Sequence, residues 1–127
     1  MNLDVAAVQG ALDALITGDH HAAAEQFTEN VEFTGAGGWL RGRTTGLAAV
    51  LDRFAALSQL TNGTFGTEVA GIYGQTQGRL VVITRHWASI GGEQVHGTQA
   101  LLIIADGGRI GGITALSRPG PPSGIWD

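Results

Sequence analysis

Arg85, Trp87, His96 and Thr98 carry the side chains in this sequence best suited to chemistry on a small molecule. Their spacing makes them a set. Residues 80–90 and 95–105 are rich in Val, Ile, Leu and Thr, and each run ends in a glycine turn, Gly91-Gly92 and Asp106-Gly107-Gly108. This pattern predicts two consecutive β-hairpins between Arg79 and Thr114. With Gly91-Gly92 as the loop, antiparallel pairing sets Ser89 opposite Gln94, Trp87 opposite His96, Arg85 opposite Thr98 and Ile83 opposite Ala100. Directly opposed residues share a face, so the four project together while His86 and Gly97 project from the other side. A slip of one residue would disperse the set.

The chemistry follows from the residue types. A guanidinium cannot serve as a base at neutral pH, but in an apolar cavity Arg85 would hold an enolate, carboxylate or phenolate through two hydrogen bonds. His96 can move a proton near pH 7. Thr98 can donate or accept a hydrogen bond beside Arg85. Trp87, joined by Trp39 on its loop or Trp126 near the C-terminus, would supply flat walls for a ring-shaped ligand. Structural readings compete with each role. Arg85 can pair with a carboxylate from the helices or with Glu32, His96 can be a hydrogen-bonded core histidine, and the tryptophans can simply fill the core. His86 is expected on the convex face or in a dimer contact, and His20 and His21 in solvent.

Composition bounds the function classes. At 127 residues the chain is expected to form one domain, residues 1–118, with a Pro/Gly-rich tail at 119–127. A formal charge of -4, seven arginines without a cluster and no lysine argue against nucleic acid or anionic membrane as the partner. The absence of cysteine removes disulfide and thiol chemistry and suits a cytoplasmic location. No basic-then-apolar leader is visible at the N-terminus, and the longest apolar run, 100–105, is far too short to span a bilayer. Metal-ligand spacing is missing, the glycines at 35–38 lack the lysine of a phosphate loop, and no cofactor is expected.

The elements that must position this set read in order. Val5, Val8, Leu12, Leu15 and Ile16 predict a first helix, capped by Asn2 or Asp4 and stopped by Gly18. Asp19 can cap a short second helix through Phe27. Residues 31–35 read as a short strand, followed by a glycine-rich loop to Arg43. Thr44 or Thr45 can cap a third helix with Leu47, Val50, Leu51, Phe54 and Leu57 on one stripe. A strand at 64–73 and the two hairpins complete a sheet of four long strands and a shorter one. Helices first and then a meander predict an α+β sandwich, three N-terminal helices covering one face of a curved antiparallel sheet.

This order of elements resembles the nuclear transport factor two superfamily, and specifically its SnoaL-like polyketide cyclase and ketosteroid isomerase branch. The likeness runs from about residue 4 to 118. It rests on Leu15-Ile16-Thr17-Gly18-Asp19, Phe27-Thr28-Glu29-Asn30-Val31-Glu32-Phe33 and Leu40-Arg41-Gly42-Arg43. The resemblance implies a conical pocket on the concave face of the sheet and a second copy of the chain on the convex face. It also places Ile83, Arg85, Trp87, His96, Thr98, Ala100 and Leu102 on the pocket face. The isomerase tyrosine falls on Ala11, its carboxylate base at or near Gly35, and its buried acid on Ala100, so the usual steroid isomerase groups are missing.

The sequence therefore predicts a cone-shaped α+β pocket protein, homodimeric through its sheet, that takes a small hydrophobic molecule. Arg85, His96 and Thr98 are the expected catalytic residues; Trp87, Trp39, Ile83, Phe33, Ala100 and Leu102 are the expected ligand contacts. One function is a cofactor-independent isomerase, cyclase or dehydratase acting on an enol- or carbonyl-containing ring compound. The other is a non-catalytic binding or scaffold module for a hydrophobic or acidic metabolite. Epoxide hydrolysis ranks last, because no carboxylate is placed on the expected pocket face.

Overall fold

The computed structural model describes residues 3–36 and 40–116. Helix α1 (Val5–Thr17) begins where the Asp4 carboxylate accepts the Ala7 N–H at 2.8 Å and ends at Gly18 in the left-handed conformation. Asp19 then caps α2 (His20–Gln26) by accepting the Ala22 N–H at 3.0 Å. The sequence offered Asn2 or Asp4 for the first cap and Asp19 for the second; the structure uses Asp4 and Asp19. Strand β1 (Phe27–Gly35) starts earlier than residues 31–35, because Phe27 leaves the helix and pairs with Ile110.

The stretch expected to cap the third helix is instead a strand. In β2 (Gly42–Thr45), Thr44 and Thr45 pair with Phe33 and Glu32 of β1. Helix α3 (Leu47–Leu60) therefore starts from Gly46, whose φ of 97° turns the chain out of the strand and whose N–H donates to the Val31 carbonyl at 2.8 Å. β3 (Gly66–Thr76), β4 (Arg79–Ile90), β5 (Glu93–Asp106) and β6 (Arg109–Leu116) follow as a meander.

The six strands lie in the order β2-β1-β6-β5-β4-β3. All neighbours are antiparallel except β1 and β6. That one parallel contact has a simple origin. After β2, helix α3 carries the chain to the far edge, and the meander returns strand by strand until β6 lies beside β1. The sheet thus joins its first strand in sequence to its last.

The helices cover one face. Leu12 and Leu15 of α1, Phe54 and Leu57 of α3, and Leu101, Ile103, Ile110 and Ile113 of the sheet are fully buried against each other. Phe33 of β1 and Phe54 of α3 meet edge to face at 5.4 Å, which anchors α3 over β1. Gln9 anchors α1 over β3: its amide donates to the Thr67 carbonyl at 2.9 Å and accepts the Val69 N–H at 2.7 Å. A bulge in β3 lies just beyond Val69. The backbones of α1 and α3 lie nearest the flanking strands β3 and β1. No helix among the described residues is long and apolar enough to cross a membrane.

Candidate functional site

The register of the central hairpin is the one predicted. Ser89 faces Gln94, Trp87 faces His96, Arg85 faces Thr98 and Ile83 faces Ala100. The turn chemistry of Gly91-Gly92 and the twofold period of a strand were enough to set it.

The side of the sheet is the opposite of the one expected. Arg85, Trp87, His96 and Thr98 all lie on the open face and are exposed. Ile83, Ala100 and Leu102 share that face, half-buried by their neighbours. Arg85 pairs across the strands with Glu68 of β3 at 2.7 Å, rather than with a helix carboxylate or Glu32, and both side chains are more than half exposed. Trp87 is 43% exposed. Its ring lies over Gly66, where a Cβ would come within 2.6 Å of the indole carbons. Phe33 is the expected ligand contact that does face the helices. Trp39 and Trp126 fall outside the described residues.

The face was the harder inference because both phases of β4 are apolar. Leu80, Val82 and Ala88 alternate with Val81, Ile83 and Trp87, so periodicity alone does not say which set the helices cover. A usable signal was present nonetheless. Arg79 and Arg85 share the second phase, and two arginines on a strand without a helix carboxylate to meet them belong to solvent. The expected position of a buried acid at Ala100 fails with the face, since Gln99 and Leu101 are the β5 residues turned toward the helices.

The covered face carries its own polar group. Thr67, Thr84, His86 and Gln99 are buried to 5% exposure or less within an otherwise apolar layer. Strand pairing puts Thr67, His86 and Gly97 in one row across β3, β4 and β5, and Val69, Thr84 and Gln99 in the next. His86 had been expected on the convex side; its burial corrects that. Its imidazole lies against Gly97, the position on β5 that leaves it room. The Thr84 hydroxyl donates to the Gln99 carbonyl at 3.3 Å, and the Thr67 hydroxyl to the Arg85 carbonyl at 3.1 Å. The Gln99 side-chain amide donates to the carbonyls of Ala100 at 2.9 Å and Leu116 at 2.7 Å.

Such an arrangement can act on a ligand in definite ways. An imidazole can give or take a proton near neutral pH, and the surrounding small and apolar residues strengthen any hydrogen bond made there. The Thr and Gln groups can orient polar atoms of a ligand but cannot exchange protons with them at neutral pH. Among the described residues, no group of three or more His, Cys, Asp or Glu could hold a metal ion. A cleft of about 320 Å³ is lined by Ala24, Phe27, Glu29, Leu47 and Arg109. It contains none of the four buried polar residues.

No protein-family model matches the sequence, and no curated protein matches it. Solved structures do match. Bal32a from a soil-derived mobile gene cassette is 23% identical, with 87% of this chain and 85% of that one covered at a TM-score of 0.77. An NTF2-like protein from Burkholderia xenovorans LB400 is 17% identical over 88% of this chain and 86% of that one, with a TM-score of 0.70. TerC, crystallised with polyporic acid, is 15% identical over 90% of both chains at a TM-score of 0.69. Identities this low speak for fold and leave the chemistry to the residues themselves. Three helices on one face of a curved, mostly antiparallel sheet, matched over most of its length by such structures, give this chain the NTF2-like α+β fold.

Proposed function

We propose that this chain binds a small hydrophobic ring compound against the covered face of β4 and β5, and that His86 exchanges a proton with an enol or carbonyl group of that ligand. The observation that carries this reading is the burial of His86 at 1% exposure beside Gly97, in a layer that also holds Thr67, Thr84 and Gln99. A proton-exchanging imidazole set among hydrogen-bonding side chains in an apolar layer is the combination that acid–base chemistry on a hydrophobic ligand needs. The reaction class is isomerisation, cyclisation or dehydration without a cofactor, since these need only a proton moved and an oxygen held. The crystallisation of TerC, which has the same fold, with polyporic acid supports a ligand of this kind. His86 takes the role that the sequence had given to His96, and the open-face set Arg85, Thr98 and Trp87 is reassigned to an interface.

The absence of a phenol at Ala11 and of a carboxyl at Gly35 favours a second reading, a binding module that holds the same class of ligand without turning it over. The open face supports homodimerisation in either case. Exposed Trp87 and Tyr73 flank half-buried Val81, Ile83, Ala100, Leu102 and Ile104, an apolar surface of the kind that proteins cover with a partner.

Ligand-induced thermal shift separates these readings. Wild type, His86→Gln and Arg85→Ala are screened against hydroxyquinones, steroids and aromatic acids, with binding read as a rise in Tm. A shift in wild type and Arg85→Ala that His86→Gln loses or reduces supports the site. A shift lost in Arg85→Ala alone would return the site to the open face. Turnover of a hit with a pH profile that disappears in His86→Gln makes the protein an enzyme; binding without turnover makes it a module.

A further inference from the structure

Gln99 has one oxygen that nothing in the described structure uses. Its side-chain amide nitrogen donates to two carbonyls, Ala100 at 2.9 Å and Leu116 at 2.7 Å. Two acceptors on one side fix the orientation of the amide, because only the NH₂ end can satisfy both. The Oε1 atom must therefore point away from them. It is buried, and it has no hydrogen-bond partner. The residue as a whole is 2% exposed, so solvent does not serve the oxygen either.

The position of Gln99 gives this a direction. It sits on the covered face, beside Thr84 in its own row and one row from His86 and Gly97. The Thr84 hydroxyl is engaged as a donor to the Gln99 main-chain carbonyl, so it does not supply the missing proton. An acceptor left without a donor in a dry layer weakens the fold, and most buried acceptors in proteins are satisfied. A ligand that brings a hydroxyl or N–H would repair the defect. A ligand that brings only an ether or carbonyl oxygen there would add a second acceptor against the first.

We infer that Gln99 is a specificity-determining residue of the covered face, whose Oε1 accepts a hydrogen bond from a hydroxyl or N–H of the ligand. The inference rests on the site proposed around His86, and it narrows the ligand class to ring compounds that carry a donor, such as phenols, enols and hydroxyquinones, over their O-methylated forms. Gln99 makes no covalent change in the ligand. It selects by leaving the wrong ligand, or none, with an unpaired buried oxygen.

Matched pairs test this directly. 1-Naphthol and 1-methoxynaphthalene, and 2-naphthol and 2-methoxynaphthalene, are titrated calorimetrically into wild type and Gln99→Met. Wild type should prefer each hydroxylated compound by about 10- to 100-fold, the range expected when a buried acceptor gains its partner. Gln99→Met should lose most of that preference while still binding the ethers. Equal binding of both members of each pair to wild type, or a preference that survives in Gln99→Met, overturns the inference and leaves the site standing. Binding of none of the four compounds to either protein overturns the inference and the site together. Should Gln99→Met fail to fold, the wild-type ratio decides alone.

Discussion

The imidazole of His86 rests against Gly97 across the β4–β5 pair, so closely that a Cβ on Gly97 would stand 3.0 Å from Nε2 and 3.1 Å from Cε1. His86 is 1% exposed and has no solvent to swing into. Gly97→Ala should therefore cost about 1–3 kcal/mol in urea unfolding, the usual penalty of overpacking. It should also weaken binding of any ligand held by His86. Adding His86→Ala should recover much of the lost stability, and a double-mutant cycle measures that coupling. A neutral Gly97→Ala would mean that the ring has room to move.

The Arg85–Glu68 pair should matter little. The two side chains are 63% and 57% exposed, and exposed ion pairs contribute less than about 1 kcal/mol after solvent screening. Arg85→Ala and Glu68→Ala should each unfold within about 1 kcal/mol of wild type, and both should keep the ligand-induced rise in Tm. Loss of that rise in Arg85→Ala would count against the covered-face site.

Gln9 ties the first helix to the far edge strand through both ends of its amide. Gln9→Leu leaves the Val69 N–H without its acceptor at a buried position, a loss of about 1–3 kcal/mol. Amide hydrogen exchange is the direct check. Val69 should lose protection relative to the amides of β5, and unchanged protection would show that water or a backbone shift replaces the glutamine.

Gly35 has no space for a side chain, since a Cβ there would overlap the Leu40 carbonyl oxygen. A backbone atom cannot turn aside as a side chain can, so Gly35→Ala should cost about 3 kcal/mol, at the upper end of overpacking penalties. Gly108 is the control. Nothing lies within 4 Å of a Cβ built there, and Gly108→Ala should stay within about 0.5 kcal/mol of wild type. Thermal unfolding of both variants compares them directly.

Ile83 lies near the middle of the open face between Gly71 and Ala100. Ile83→Arg places a charge where a sheet-to-sheet dimer would need apolar contact, while a lone chain can extend the long side chain into water. Light scattering behind size exclusion should give a dimer mass for wild type and a monomer mass for the variant. A monomeric wild type would remove the dimer from the proposal.

Local chemistry was enough to make much of this fold legible in the sequence. Asp4 and Asp19 announced the first two helices, and Gly91-Gly92 with a strand period of two set Arg85 opposite Thr98 and Trp87 opposite His96, because turns and caps act over a few residues. Tertiary structure alone decided which side of that hairpin is covered. Val82 and Val81 are equally apolar, and the choice between them depends on where α1 and α3 land, through contacts such as Gln9 with Val69 and Phe54 with Phe33 that join distant parts of the chain. The strand at 42–45 was hidden for the same reason. Its partner in β1 and the parallel docking of β6 on β1 exist only once the whole meander has returned, and no local pattern in Gly42-Arg43-Thr44-Thr45 records that. The burial that made His86 rather than His96 the candidate proton carrier is thus a property of the assembled layers, which one residue's shift in strand phase would reverse.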